Sequence, residues 1–138
     1  MLGLMQKIME AKLKIESWDE QPYRELDEGG KLTRADVLLS GPDDGLTSAT
    51  SESLMFYRAD GTSAYVNVMH ITGTLAGRAG SFVLQGDGTY DGKTARGQSR
   101  VVEGSGTGEL AGLSGTAESV STHDDYPCMP LTLKYDIG

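Results

Sequence analysis

The sequence predicts an all-β protein: an eight-stranded antiparallel up-and-down β-barrel that forms one domain over residues 1–138. Short runs in which apolar and polar residues alternate recur along the chain, and this period of two is typical of half-buried strands. Turn residues separate the runs, and the chain has 19 glycines against 4 prolines. Closing the sheet would remove its exposed edges. A sandwich of the same strands is the alternative.

The first half of the chain supplies three strands. Alternation begins near Met9 and is expected to stop at WDEQPY, residues 18–23, because Pro22 cannot donate to a ladder. Residues 1–8 form an N-terminal extension, whose apolar side chains also fit one helical face. Two further strands follow turns rich in glycine and aspartate, at 31–40 and at 46–59.

The second half repeats the pattern at similar spacing. Asp60-Gly61 stands between two apolar runs, which is a strong signal for a hairpin. Asp91-Gly92 is a similar turn signal. The remaining strands are predicted at 63–71, 81–85 with an extension to 91, 94–103, 114–123 and 131–137.

Residues 104–117, GSGTGELAGLSGTA, contain the densest glycine cluster. A nucleotide site would need a helix after the glycines, or a lysine followed by Ser or Thr. No long helix follows, and Glu109 would repel a phosphate. We therefore interpret the cluster as a bend with positive φ angles, under which Leu110 and Leu113 pack against the sheet.

Composition limits the partners. The formal net charge is −8 and the sequence pI is about 4.6, which argues against nucleic-acid binding. The single cysteine, Cys128, excludes an internal disulfide and fits a reducing compartment. The N-terminal apolar run is too short to span a membrane. We predict a cytoplasmic protein with no cofactor and no membrane partner.

Several motifs resemble those of the bacterial family called domain of unknown function 3224. They are WDEQPY at 18–23, KLTRA at 31–35, GRAGSFVLQGDGTYDG at 77–92 and the glycine cluster. The resemblance covers residues 11–136 and implies a fold similar to allene oxide cyclase, an eight-stranded antiparallel barrel whose relatives form oligomers. A homo-oligomer is therefore expected, with the apolar segment 1–9 as a contact. The resemblance implies no activity.

Four residues are candidates for a ligand site in the barrel. Arg34 could bind a carboxylate, or could pair with an acid on a neighbouring strand. Glu52 is the best candidate for a catalytic acid or base, or it faces solvent. Tyr57 could line a pocket, and Gln85 could be a half-buried hydrogen-bonding group or a satisfied core amide.

Metal chemistry is not expected. His123 precedes two aspartates, but adjacent strand residues point to opposite faces, so a loop histidine beside a carboxylate is the preferred interpretation. Trp18 and Tyr23 are expected to cover one end of the barrel.

The leading hypothesis is a barrel that binds a small, partly apolar ligand inside. A cofactor-free isomerase or cyclase is the first alternative, and a structural oligomeric barrel with a filled interior is the second. The sequence leaves open whether the protein is an enzyme.

Overall fold

The structure, a computed structural model, describes residues 6–41 and 45–137. These residues form eight antiparallel strands with three short 3₁₀ turns between them. The strands are β1 (Lys7–Glu25), β2 (Lys31–Ser40), β3 (Leu46–Tyr57), β4 (Ser63–Leu75), β5 (Arg78–Tyr90), β6 (Thr94–Val101), β7 (Leu113–Thr122) and β8 (Cys128–Ile137).

The eight strands form one sheet that closes on itself as a ring. Each strand pairs with the next along the chain, and β1 also pairs with β8 from Lys7↔Tyr135 to Lys14↔Cys128. The predicted all-β, up-and-down order of eight antiparallel strands is confirmed. Because one sheet contains all eight strands, the sandwich alternative is wrong.

The two ends of the ring differ. We call the end with the β2–β3, β4–β5 and β6–β7 connections the closed end. Leu46, Ile71, Leu75 and Phe82 are almost fully buried near it. The β6–β7 connection packs against it through Leu110, whose exposed fraction is 0%. The opposite end, with the β1–β2, β3–β4, β5–β6 and β7–β8 turns, is the open end.

The glycine cluster acts as the expected bend. Gly104, Gly108 and Gly112 have φ angles of 83°, 60° and 85°, in the region that favours glycine. Ser81 and Thr107 join β5 to the connection through hydroxyls 2.6 Å apart. The connection therefore covers the closed end by burying an aliphatic side chain, as the sequence predicted.

The predicted end of the first strand is wrong. WDEQPY lies inside β1, where Trp18 pairs with Val37 and Pro22 with Thr33. Beyond Lys14, β1 pairs with β2 alone. The backbone N–H groups on its other edge therefore have no partner strand, and a proline there interrupts no ladder. Pro22 also lies beside a register shift, where a proline is tolerated.

Other predicted boundaries shift by a few residues. β4 and β5 each extend to the tight turn at Ala76 and Gly77, and β8 begins at Cys128. β1 begins at Lys7, so the N-terminal extension is shorter than residues 1–8. Residues 1–5 and 42–44, which belong to the predicted oligomer contact and to a predicted turn, lie outside the described residues. Among the described helical turns, none has the length and apolar character needed to cross a membrane.

Candidate functional site

A cavity of about 430 Å³ lies inside the ring towards the open end. Turn residues of that end contribute to its lining, among them Lys93, His123 and Tyr126. The buried residues Phe82 and Leu110 do not line it, so the closed end is filled. The described part of the ring is therefore a cup with a packed base.

The walls of the cup differ in polarity. Strands β1, β2 and β8 supply mainly apolar side chains. Strands β3, β4, β6 and β7 supply most of the neutral polar ones, and the charged residues Asp87, Lys93 and Glu118 also line the cavity. Cross-strand pairing brings Ser53 beside Asn67, and Ser99 lies on the same row across Gly86. The apolar set is Ile15, Val37, Leu39, Met129 and Leu131, and the polar set is Ser51, Ser53, Asn67, Ser99, Ser119 and Ser121.

Two glycines shape the polar side. Tyr65 pairs with Gly88, and Gly88 pairs with Gly97 on the next strand. A Cβ atom at Gly88 would lie 2.3 Å from the Tyr65 hydroxyl, and one at Gly97 would lie 2.7 Å from it. The Tyr65 side chain therefore extends over β5 and β6, in space that a residue larger than glycine at 88 or 97 would occupy. Burial also raises the pKa of the Tyr65 hydroxyl.

The mouth of the cup lies where β1 separates from β8. The amide of Ile15 donates to the carbonyl of Pro127 at 2.7 Å, and the rest of β1 pairs only with β2. Trp18 follows this point and lines the cavity while 48% of it stays exposed. Tyr126 faces the same opening and is 66% exposed. The part of β1 that extends beyond β8 thus borders the cavity, with aromatic side chains at this edge.

A carboxylate stands beside this edge. Glu20 accepts a hydrogen bond from the buried Thr33 hydroxyl at 2.8 Å, and its other oxygen accepts one from the Trp18 indole at 2.9 Å. Glu20 is half-buried and pairs with Ala35, whose side chain is in the core. Sequence reasoning missed Glu20 because it predicts that the first strand ends at WDEQPY, which contains this residue. The bulge between Ile15 and Ser17 also reverses the alternation of β1 before Glu20.

Tyr57 links Glu20 to the cavity. Its ring lines the cavity, and its hydroxyl faces the Sδ of Met55 at 4.0 Å. Burial, followed by a hydrogen bond to Glu20 and the negative charge of that carboxylate, raises the pKa of Tyr57 to about 12. The hydroxyl therefore keeps its proton at neutral pH. The candidate Tyr57 is placed in the cavity.

The other three candidates lie outside the cavity. Arg34 and Glu52 form an exposed ion pair on the outer face at 3.0 Å, and Arg34 also approaches Asp36 at 3.6 Å. The site role inside the ring is therefore corrected for both residues, because the side chains that alternate with them on their strands fill the interior. The alternatives hold instead: Arg34 pairs with an acid on a neighbouring strand, and Glu52 faces solvent. Gln85 is exposed and pairs with Val68 and Arg100 on the same outer surface, so it is not a core amide.

His123 takes part in a contact between two turns of the open end. Its Nε2 lies 2.8 Å from the Tyr90 hydroxyl, which also donates to the carbonyl of Gly92 at 2.9 Å. The rings meet edge to face. This contact holds the β5–β6 turn against the β7–β8 turn at one side of the mouth. Within residues 6–41 and 45–137, no three His, Cys, Asp or Glu side chains are grouped so that they could hold a metal ion.

Comparison with known proteins gives a family and a fold. Residues 9–135 match the family described as Protein of unknown function (DUF3224). The chain is also similar to a crystal structure of a protein with unknown function from this family, from Shewanella oneidensis MR-1. The two are 27% identical over 97% of this chain and 99% of the other, with a TM-score of 0.76. No curated protein matches the chain.

Proposed function

The chain belongs to the DUF3224 family, and we propose that its ring of strands is a binding module for a small, partly apolar molecule. The observation that carries this proposal is the cup itself: a cavity of about 430 Å³ beside a packed base. Ligand pockets commonly have volumes of roughly 300–1,000 Å³ and combine apolar walls with a few polar groups. We also propose that the ring is of the allene oxide cyclase-like class, which its eight antiparallel strands support.

The chemistry of the walls favours an uncharged or weakly polar ligand body. The apolar wall can cover one side of the ligand, and the serines and Asn67 can exchange hydrogen bonds with the other. Three methionines, Met55, Met69 and Met129, also line the cavity and adapt to ligands of different shape. A ligand with an apolar body and one or two hydroxyl or carbonyl groups fits this arrangement.

Two substitutions on one strand test whether ligands enter the ring. Ser53 lines the cavity, whereas Thr50 is exposed on the outer face of the same strand. Ser53→Phe should fill part of the cavity and abolish binding, and Thr50→Phe should leave binding intact. Trp18 is the only tryptophan and lies at the mouth, so its fluorescence reports ligand entry. Equal binding by both variants would place the ligand elsewhere.

Catalysis is a second candidate function, supported by the Tyr57 hydroxyl in the cavity lining, whose pKa burial and the Glu20 carboxylate raise. In a cofactor-free isomerase or cyclase, Tyr57 could accept a proton from a bound substrate while passing its own proton to Glu20. Glu20→Gln should then remove turnover while binding persists. Glu52→Gln is the matched control, because that carboxylate lies on the outer face. Full turnover in Glu20→Gln would exclude this mechanism.

A further inference from the structure

Ser63 is a buried polar residue at the mouth end of the cavity. It opens β4, lines the cavity and is only 1% exposed. Its hydroxyl has no hydrogen-bond partner among the described residues. A buried hydroxyl without a partner destabilises the folded state, so an alanine would serve a purely structural role better here.

The neighbours of Ser63 explain why it is unpaired. The ladder places it between Tyr57 on β3 and Tyr90 on β5. The Tyr90 hydroxyl contacts the Gly92 carbonyl and His123, and the Tyr57 hydroxyl faces the sulfur of Met55. Both tyrosines use their polar groups elsewhere, which leaves the serine hydroxyl free for a group that enters the cavity.

We propose that the Ser63 hydroxyl is the anchor for a hydroxyl or carbonyl group of the ligand, and that it makes the cavity selective for ligands with such a group. This inference rests on the proposed binding function and adds its specificity. Solvent does not reach the hydroxyl in this structure, so a ligand group contacts it only after neighbouring side chains move.

The chemistry of the anchor suits a neutral group. Charges of both signs lie near it, because Glu20 acts on Tyr57, the ladder neighbour of Ser63, while Lys93 also lines the cavity. An uncharged hydroxyl can both donate to and accept from the serine. We therefore expect neutral alcohols, phenols or ketones with an apolar body.

The test uses two probes of nearly equal shape, 2-naphthol and 2-methylnaphthalene, and follows the ¹³C-labelled methionine methyl groups by NMR. Met55, Met69 and Met129 report binding inside the cavity. In the wild-type protein, 2-naphthol should bind about tenfold more tightly, because its hydroxyl satisfies Ser63. In Ser63→Ala this preference should disappear, while the thermal midpoint stays equal or rises.

Ser48→Ala is the matched control, since Ser48 is an exposed serine on β3 that does not line the cavity. It should keep the preference for 2-naphthol. Equal affinities of the two probes in the wild type, or a preference that Ser63→Ala retains, would overturn the anchor and leave the binding function standing. Methionine signals that neither probe moves would overturn both.

Discussion

At the closed end, Leu75, Phe82 and Leu110 are almost completely buried, whereas at the open end Trp18 and Tyr126 stay partly exposed around a cavity. Leu75, Phe82 and Leu110 have no polar atoms in their side chains and only pack. Those of the open end combine an apolar ring with a polar atom, which suits contact with both ligand and water. The ring therefore separates the side chains that stabilise it from those that can bind.

The same separation appears in the polar groups. At the closed end, Ser81, Thr107 and Ser105 hydrogen-bond within the protein. At the open end, Ser63 has no partner among the described residues. Hydrogen bonds thus hold the cover of the base in place, while the Ser63 hydroxyl of the cup remains available. Substitutions at the two ends should consequently affect different properties.

The largest effect is expected at the closed end. Leu110→Ala removes a fully buried side chain and should lower the free energy of unfolding by about 2 to 5 kcal/mol. Urea denaturation measures it. The outer-face variant Leu38→Ala, where the leucine is 53% exposed, is the control and should change stability by less than about 0.5 kcal/mol. A similar small loss in Leu110→Ala would mean that the connection does not cover the base.

A smaller loss is expected where Tyr65 crosses the glycines. Gly88→Ala places a methyl group 2.3 Å from the Tyr65 hydroxyl and 2.5 Å from the carbonyl of Arg96, so we expect a loss of about 1 to 3 kcal/mol. Gly45→Ala, which meets no atom within 4 Å, is the control. If the two variants unfold at the same urea concentration, Tyr65 does not depend on this space.

The mouth should show a dependence on high pH. The pKa of Tyr57 is raised from 10.0 to about 12, so the folded state binds this proton more tightly than the unfolded state. The contribution of this pKa shift to the free energy of unfolding is complete below pH 10 and is lost as the pH rises towards 12. Tyr57→Phe should therefore lose less stability than the wild type between pH 9.5 and roughly 11.5.

Urea midpoints at several pH values measure this difference. Tyr23→Phe is the control, because Tyr23 lies on β1 and is 52% exposed. That variant should follow the wild type. If the pH profile of Tyr57→Phe coincides with those of the wild type and Tyr23→Phe, then burial and Glu20 do not raise the pKa of the Tyr57 hydroxyl.

The smallest effect is expected on the outer face. Glu52→Gln breaks an exposed ion pair with Arg34, which should change stability by less than about 0.5 kcal/mol. Ligand binding, followed by Trp18 fluorescence, should be unchanged. A clear loss of binding would bring Glu52 back as a site residue and would contradict the assignment of the site to the interior.

The fold could be predicted because turns and alternation are local signals. Asp60-Gly61 and Asp91-Gly92 both fall between paired strands, as expected. The sequence also indicates which face of β2 is buried. Ala35, Val37 and Leu39 are at alternate positions and point inward, so Arg34 points outward. β3 gives no such signal, because Leu54 and Met55 are both apolar.

The candidate site was harder to predict because it depends on a bulge and on contacts distant in sequence. Glu20 points inward only because β1 gains a residue at Glu16. Its contact with Tyr57 joins residues whose strands are separated by β2. The missing partner of Ser63 follows from where two tyrosine hydroxyls are directed, and a single sequence does not contain that information.

Native mass spectrometry of protein purified gently from its own host tests the central claim most directly, with Ser53→Phe and Thr50→Phe measured beside the wild type. We predict a retained small molecule of defined mass in the wild type and Thr50→Phe, and its absence in Ser53→Phe. A protein without any adduct, which also takes up nothing from a broad panel of lipids and metabolites, would contradict the claim and indicate a ring with a structural role.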